Sequence, residues 1–180
     1  MNYNQFSNLS CCEEFEIQST LTGISKIDAL KEIGHQIDDY YFFISDDGVF
    51  NWFDLNGNHI KDPSILKELK EEYIPKTITK CVIPDSVTRI DYSAFAYCKY
   101  LKTVDIPDNV TRIDSDAFWQ CESLETITIP DNTTYIGVCV FYKCTSLKEI
   151  IFKGKTLDEV KRIKRYPFGI KCESIIKCEI

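Results

Sequence analysis

The 180-residue chain has only two histidines, one methionine and two tryptophans. The histidines, His35 and His59, fall in separate stretches, and no Gly-x-Ser-x-Gly, Walker loop or His-Glu-x-x-His accompanies them. Motifs for hydrolysis, phosphate cradling and zinc catalysis are thus missing, and an enzyme is not expected. No apolar run approaches the roughly 18 residues of a membrane-spanning helix. Met1 to Ser10 lacks both a basic start and an apolar h-region, so no secretory signal is expected. The nine cysteines are odd in number and contain no Cys-x-x-Cys pair. With no signal, that favours free thiols and a reducing, cytoplasmic setting.

What is present points to a folded chain. Apolar residues make up 44%, charged residues 27% and aromatics 13%, which excludes a disordered or low-complexity protein. The length suffices to bury a core without metal or disulfide staples. The net charge of −7 is uneven: −9 over residues 1–72, −2 over 73–149 and +4 over 150–180. The acidic front argues against general nucleic-acid binding and suits a basic protein partner.

Self-similarity dominates the sequence. Cys81–Thr103, Val104–Thr126 and Ile127–Glu149 superimpose at a period of 23. Ile83-Pro84, Ile106-Pro107 and Ile129-Pro130 share one column. Further columns are Ile90, Ile113 and Ile136; Phe95, Phe118 and Phe141; Cys98, Cys121 and Cys144; and Leu101, Leu124 and Leu147. In the second unit Val104 and Ile106 point to one side of a strand and Thr103 and Asp105 to the other. Pro107 has no N–H and ends that strand. Ala117-Phe118 and Cys121 fit a short helical or 3₁₀ turn that seals the outer side. One unit cannot bury its apolar face alone, so units stack, with parallel strands paired between neighbours. A fourth copy starts at Ile150-Ile151-Phe152 and diverges. In the third copy Thr133 replaces valine and Cys139-Val140 precedes Phe141, which predicts looser local packing.

Read along Leu101…Val104…Ile106-Pro107…Val110…Ile113…Ala117-Phe118…Cys121…Leu124, the pattern resembles the BspA-type leucine-rich repeat. Phe152-Lys153-Gly154 through Tyr166-Pro167-Phe168-Gly169-Ile170 resembles the closing segment of such proteins. The resemblance spans residues 73–180. It implies a small solenoid whose surface binds other molecules, with no catalytic residue. The expected class is α+β: a leucine-rich-repeat solenoid with an α+β N-terminal cap over residues 1–72 and a helical C-terminal cap.

Both caps have local signals. Thr156-Leu157-Asp158-Glu159 is a capping box, with Leu157, Val160 and Ile163 as the packing stripe and Pro167 beyond the stop. Ser174–Cys178 suits a last strand. In the N-terminal third a strand is expected at Phe15–Ile17 and a helix from Ser25 to about Ile37. Tyr40–Ile44 and Val49–Phe53 form a hairpin around Ser45-Asp46-Asp47-Gly48. His59-Ile60 starts a third short strand. Asp62 caps a helix with Pro63 at its first position and Ile65, Leu66, Leu69 and Tyr73 inward. This unit would shield the edge of the first repeat.

Candidate chemistry is sparse. The Cys98, Cys121, Cys144 column reads as small buried hydrophobes, because zinc sites favour paired local spacings. A reactive thiol would have to come from Cys11, Cys12, Cys139, Cys172 or Cys178. Asp54-Leu55-Asn56-Gly57-Asn58 looks like half a calcium loop. Its glycine is fourth where an EF-hand needs it sixth, and Ile65 stands where glutamate belongs, so a tight turn is expected. Lys153, Lys155, Lys161, Arg162, Lys164 and Arg165 have no interleaved aromatic platform for nucleic acid. They read as helix-end charge and a solubilising cap.

Two surfaces are candidates for binding. The strand face that packs nothing inside carries Lys80, Val82, Thr103, Asp105, Thr126, Thr128, Glu149 and Ile151. The acidic unit carries Asp38, Asp39, Asp46, Asp47 and Asp54. An aromatic left exposed on the hairpin, from Tyr41, Phe43, Phe50 and Trp52, would mark a further contact. These features favour a non-enzymatic protein-binding module without cofactor, metal or membrane contact, with a homodimer as an option. Two other readings are an inhibitor of a basic host nucleic-acid enzyme, of the phage anti-CRISPR or anti-defence kind, and an adhesin or virion-associated recognition protein. The first rests on class analogy alone; the second follows from the resemblance.

Overall fold

A computed structural model describes residues 28, 31, 34–45 and 48–180. Repeating units wind so that each contributes two parallel strands on different sides of one core. The main strands are β6 (Lys80–Val82), β8 (Thr103–Asp105), β10 (Thr126–Ile129), β12 (Glu149–Lys153) and β13 (Ile176–Glu179). β6 pairs with β8, and β10, β12 and β13 form a second ladder. Lys80 faces Thr103, Thr126 faces Glu149 and Ile151 faces Lys177. The lateral strands β5 (Glu68–Leu69), β7 (Arg89–Ile90), β9 (Arg112–Ile113) and β11 (Tyr135–Ile136) make a parallel sheet in the order β11-β9-β7-β5.

The sequence columns become columns in space. Cys81, Val104, Ile127 and Ile150 are buried along the main strands, and Ile90, Ile113 and Ile136 along the lateral ones. The phenylalanines stack, with centroids 5.0 Å apart for Phe95 and Phe118 and 5.9 Å for Phe118 and Phe141. The segment holding them is a run of turns, not the expected helix or 3₁₀ turn. The reason lies in the backbone: the N–H groups of Phe95, Phe118 and Phe141 donate to Ala117, Val140 and Phe168 in the following unit, so they cannot close a helix. Ser93, Asp116 and Cys139, and again Tyr97, Gln120 and Lys143, take left-handed backbone conformations there. Thr133 does not loosen the third unit, because its buried hydroxyl donates to the Val110 carbonyl at 2.8 Å.

The N-terminal unit departs from expectation in its helices. Phe15–Ile17 and most of Ser25–Ile33 lie outside the described residues. Asp28 and Lys31 are helical, but His35–Ile37 is strand β1, paired antiparallel with β2 (Tyr40–Ile44). β3 (Phe50–Asp54) and β4 (His59–Ile60) complete a four-stranded antiparallel sheet. The helix expected from Asp62 to Tyr73 is absent. Asp62 accepts the Ser64 N–H at 2.7 Å, Ser64 adopts a left-handed φ of 56°, and the chain extends into β5 before a 3₁₀ turn at Glu71–Tyr73. Leu66 and Leu69 are buried as strand-side residues of the array.

The two parts share one core. Phe42, Phe50 and Trp52 join the same apolar cluster as Leu69, Ile74 and Cys81. The Gly48 carbonyl accepts the Val82 N–H at 2.9 Å, seating the hairpin turn on the outer edge of β6. At the other end Thr156 and Glu159 close a reciprocal capping box on the helix Leu157–Arg162. Val160 packs inward and Ile163 is half-buried, whereas Leu157, assigned to the packing stripe, is exposed. No helix among the described residues is long and apolar enough to cross a membrane.

Candidate functional site

Strand alternation sorts side chains to the two faces of the main-strand sheet. On β8 Val104 is buried while Thr103 and Asp105 are exposed. On β10 Ile127 and Ile129 are buried, Thr126 is exposed and Thr128 half-exposed. On β12 Glu149 and Ile151 are half-exposed, and on β6 Lys80 is exposed and Val82 half-exposed. The register brings the eight residues onto one face, Lys80 and Val82 beside Thr103 and Asp105, and Thr126 and Thr128 beside Glu149 and Ile151. β8 and β10 lie side by side without a ladder joining them, so the face has a seam at its centre. Lys80 Nζ stands 3.7 Å from Asp105, an exposed pair that contributes little to stability. Short threonine side chains leave the surface flat, and the charges at its margin remain accessible.

The acidic residues separate. Asp38 and Asp39 are exposed in the turn between β1 and β2. Asp54 lies at the same end of the sheet, since Tyr40 pairs with Asp54. Asp54 accepts the Asn58 side-chain amide at 2.9 Å and the Asn58 and Asn56 N–H groups at 2.9 Å, which holds its carboxyl below the usual range. It therefore serves the tight turn expected of Asp54–Asn58. Asp46 and Asp47 lie outside the described residues.

The hairpin leaves no strongly exposed aromatic among the described residues: Tyr41, Phe50 and Trp52 are buried and Phe43 is half-buried. The exposed rings lie instead in the turns that carry the phenylalanine stack. Tyr92 and Tyr100 are 60% and 62% exposed. Trp119 sits between Tyr97 and Tyr142, at 6.0 and 6.1 Å. The recurrence of Trp119 and Tyr142 one residue after the phenylalanine column was the available signal.

A second group escaped sequence reasoning. On the lateral sheet the buried Asp114 accepts from Arg89 Nε at 2.6 Å and Arg112 Nε at 2.7 Å. Arg89 also reaches Asp91 and Glu68. The Arg112 guanidinium lies 3.9 Å above the Tyr135 ring. The repeated Arg-Ile of β7 and β9 was its trace in the sequence. The basic cap residues are partly tied down: Lys155 bonds to Asp131, and Lys161 pairs with Glu173 at 3.8 Å.

The cysteine column faces the core. Cys121 Sγ donates to the Phe95 carbonyl and Cys144 Sγ to the Phe118 carbonyl. Burial pushes the Cys98 thiol up to about 11 and Cys81 and Cys144 to about 12, and raises Cys121 as well. Cys139 and Cys172 are exposed, and a hydrogen bond from Ser174 lowers the Cys172 thiol. At pH 8 a maleimide is expected to label Cys139 and Cys172 within minutes and to leave Cys81, Cys98 and Cys121 intact until the chain unfolds. Peptide mass spectrometry reads the order, and early labelling of Cys121 would contradict the packing. No group of three or more His, Cys, Asp or Glu side chains among the described residues is placed to hold a metal ion.

The family model for the BspA type leucine rich repeat region, in six copies, matches residues 70–180. The chain belongs to the BspA-type leucine-rich repeat family. Solved structures similar to this leucine-rich repeat chain include three bacterial proteins. A leucine-rich repeat protein from Bacteroides capillosus ATCC 29799 is 26% identical over 67% of this chain and 99% of its own, with a TM-score of 0.49. One from Eubacterium ventriosum ATCC 27560 is 27% identical over 63% of this chain, with a TM-score of 0.47, and the chain spans only 27% of its length. The T. pallidum leucine-rich repeat protein is 23% identical over 65% of this chain and 59% of its own, with a TM-score of 0.48. Comparison with curated proteins finds no match.

Proposed function

We propose that this leucine-rich repeat chain is a non-enzymatic module that binds a protein partner through its main-strand face. The observation that carries the reading is the alignment of Thr103, Asp105, Thr126, Thr128, Glu149 and Ile151 on one exposed to half-exposed face of the stack. A preorganised flat sheet with small side chains lets a partner approach the backbone closely and loses little side-chain entropy on binding. Asp38, Asp39 and Asp54 lie together at one end of the N-terminal sheet, and that end suits a basic margin on the same partner. Membership of a repeat family supports an interaction role without naming the partner.

The test compares three tagged proteins in lysate of the source cell, read by quantitative mass spectrometry. They are the native chain, the face variant Asp105→Arg/Thr126→Arg and the lateral-sheet control Thr111→Arg. A stoichiometric partner retained by the native chain and the control, and reduced about tenfold or more by the face variant, is the expected result. Equal capture by all three would remove the strand face from the account.

A further inference from the structure

We propose that the outer edge of β13 pairs with β13 of a second copy, antiparallel, about a two-fold axis at Cys178. β13 is the last strand in the order β10-β12-β13, and no described strand lies on its outer side. Successive residues of a strand aim their backbone groups at opposite edges. The Glu179 carbonyl accepts the Gly154 N–H, so Glu179 and Lys177 face β12. Ile176, Cys178 and Ile180 therefore aim their backbone groups at the open edge. The Ile176 N–H is already used by the Glu173 carbonyl. The remaining outward groups are the Ile176 carbonyl, both groups of Cys178 and both groups of Ile180.

That set is self-complementary. With Cys178 opposite Cys178, each Cys178 N–H meets the other copy's Cys178 carbonyl. Each Ile180 N–H meets the other copy's Ile176 carbonyl. Four of these five groups find partners, and the Ile180 carbonyl, opposite the occupied Ile176 N–H, keeps its contact with water.

The side chains obey the same symmetry. Ile176-Lys177-Cys178-Glu179-Ile180 reads alike in both directions except that the charge changes sign. In this register Lys177 stands opposite Glu179 twice, at the closer, non-hydrogen-bonded positions where cross-strand side chains interact most. Lys177 and Glu179 are both exposed, so both are free to meet across the axis. Ile180 would lie opposite Ile176 of the other copy, apolar beside apolar. Any register shifted by one residue would set charged side chains opposite apolar ones. A second copy is the occupant these features select, and the pairing joins the two β10-β12-β13 ladders into one six-stranded sheet.

Sedimentation equilibrium of the purified chain over micromolar to millimolar concentrations tests this, with circular dichroism checking the fold of each variant. The native chain is expected to dimerise reversibly. Lys177→Glu and Glu179→Lys each place like charges opposite one another twice, and each should weaken the dimer about tenfold or more. The double variant Lys177→Glu/Glu179→Lys restores opposite charges and should restore the dimer. A native chain that stays monomeric at millimolar concentration overturns the proposal and leaves the edge to another partner. So does a dimer indifferent to the single reversals, or a double variant as weak as the singles.

Discussion

Phe118→Ala is expected to lower the unfolding free energy by about 3–5 kcal/mol, the range for truncating a buried aromatic ring. Phe118 is fully buried and lies between Phe95 and Phe141. The turns that carry these rings are fixed by hydrogen bonds to neighbouring units, Phe95 N–H to Ala117 and Phe118 N–H to Val140. They cannot collapse into the cavity without breaking that ladder, so the high end of the range applies. Urea denaturation followed by tryptophan fluorescence reads the effect as a lower midpoint. A loss below about 1 kcal/mol would mean that the stack relaxes freely, contrary to a rigid solenoid.

Gly48→Ala is expected to unseat the hairpin from the array. Gly48 has a φ of +81°, and a Cβ there would lie 2.2 Å from the Lys80 carbonyl oxygen. Backbone lines that space, so no side chain can swing aside. The strained φ and the overlap together should cost about 2–4 kcal/mol. The location of the effect separates this variant from the first. Amide hydrogen exchange should accelerate at Val82, whose N–H bonds to Gly48, and remain slow at Ile113 and Phe118. Unchanged protection at Val82 would show that the turn does not sit on β6.

The repeat was legible because its columns keep chemical identity at one spacing. Ile-Pro, the phenylalanines, the cysteines and the leucines each recur where burial demands the same shape. The main-strand face followed from alternation, since Val104 and Ile127 point in and Thr103 and Thr126 point out. The lateral strands were not legible, because two residues are too short for a period of two to show. The false helix at Asp62–Tyr73 has a related cause. Leu66 and Leu69 have the same three-residue spacing as Val87 and Ile90, and that spacing fits a helical face equally well. The left-handed Ser64 and the stacking of β5 on β7 decided between them, and neither leaves a residue signature. The Arg89–Asp114 bond joins residues 25 positions apart in neighbouring units, beyond any local pattern. The turns around Phe95 and Phe118 were misread because their hydrogen bonds run to the next unit.

Whether binding occurs on the main-strand face can be read residue by residue. Amide chemical shifts of the ¹⁵N-labelled chain would be followed while the captured partner is added. Perturbations should concentrate at residues 103–105, 126–128 and 149–151, with the lateral strands β7 and β9 unmoved. Perturbations centred on Tyr97, Trp119 and Tyr142, or on the helix Leu157–Arg162, would contradict the account and move the site to that surface.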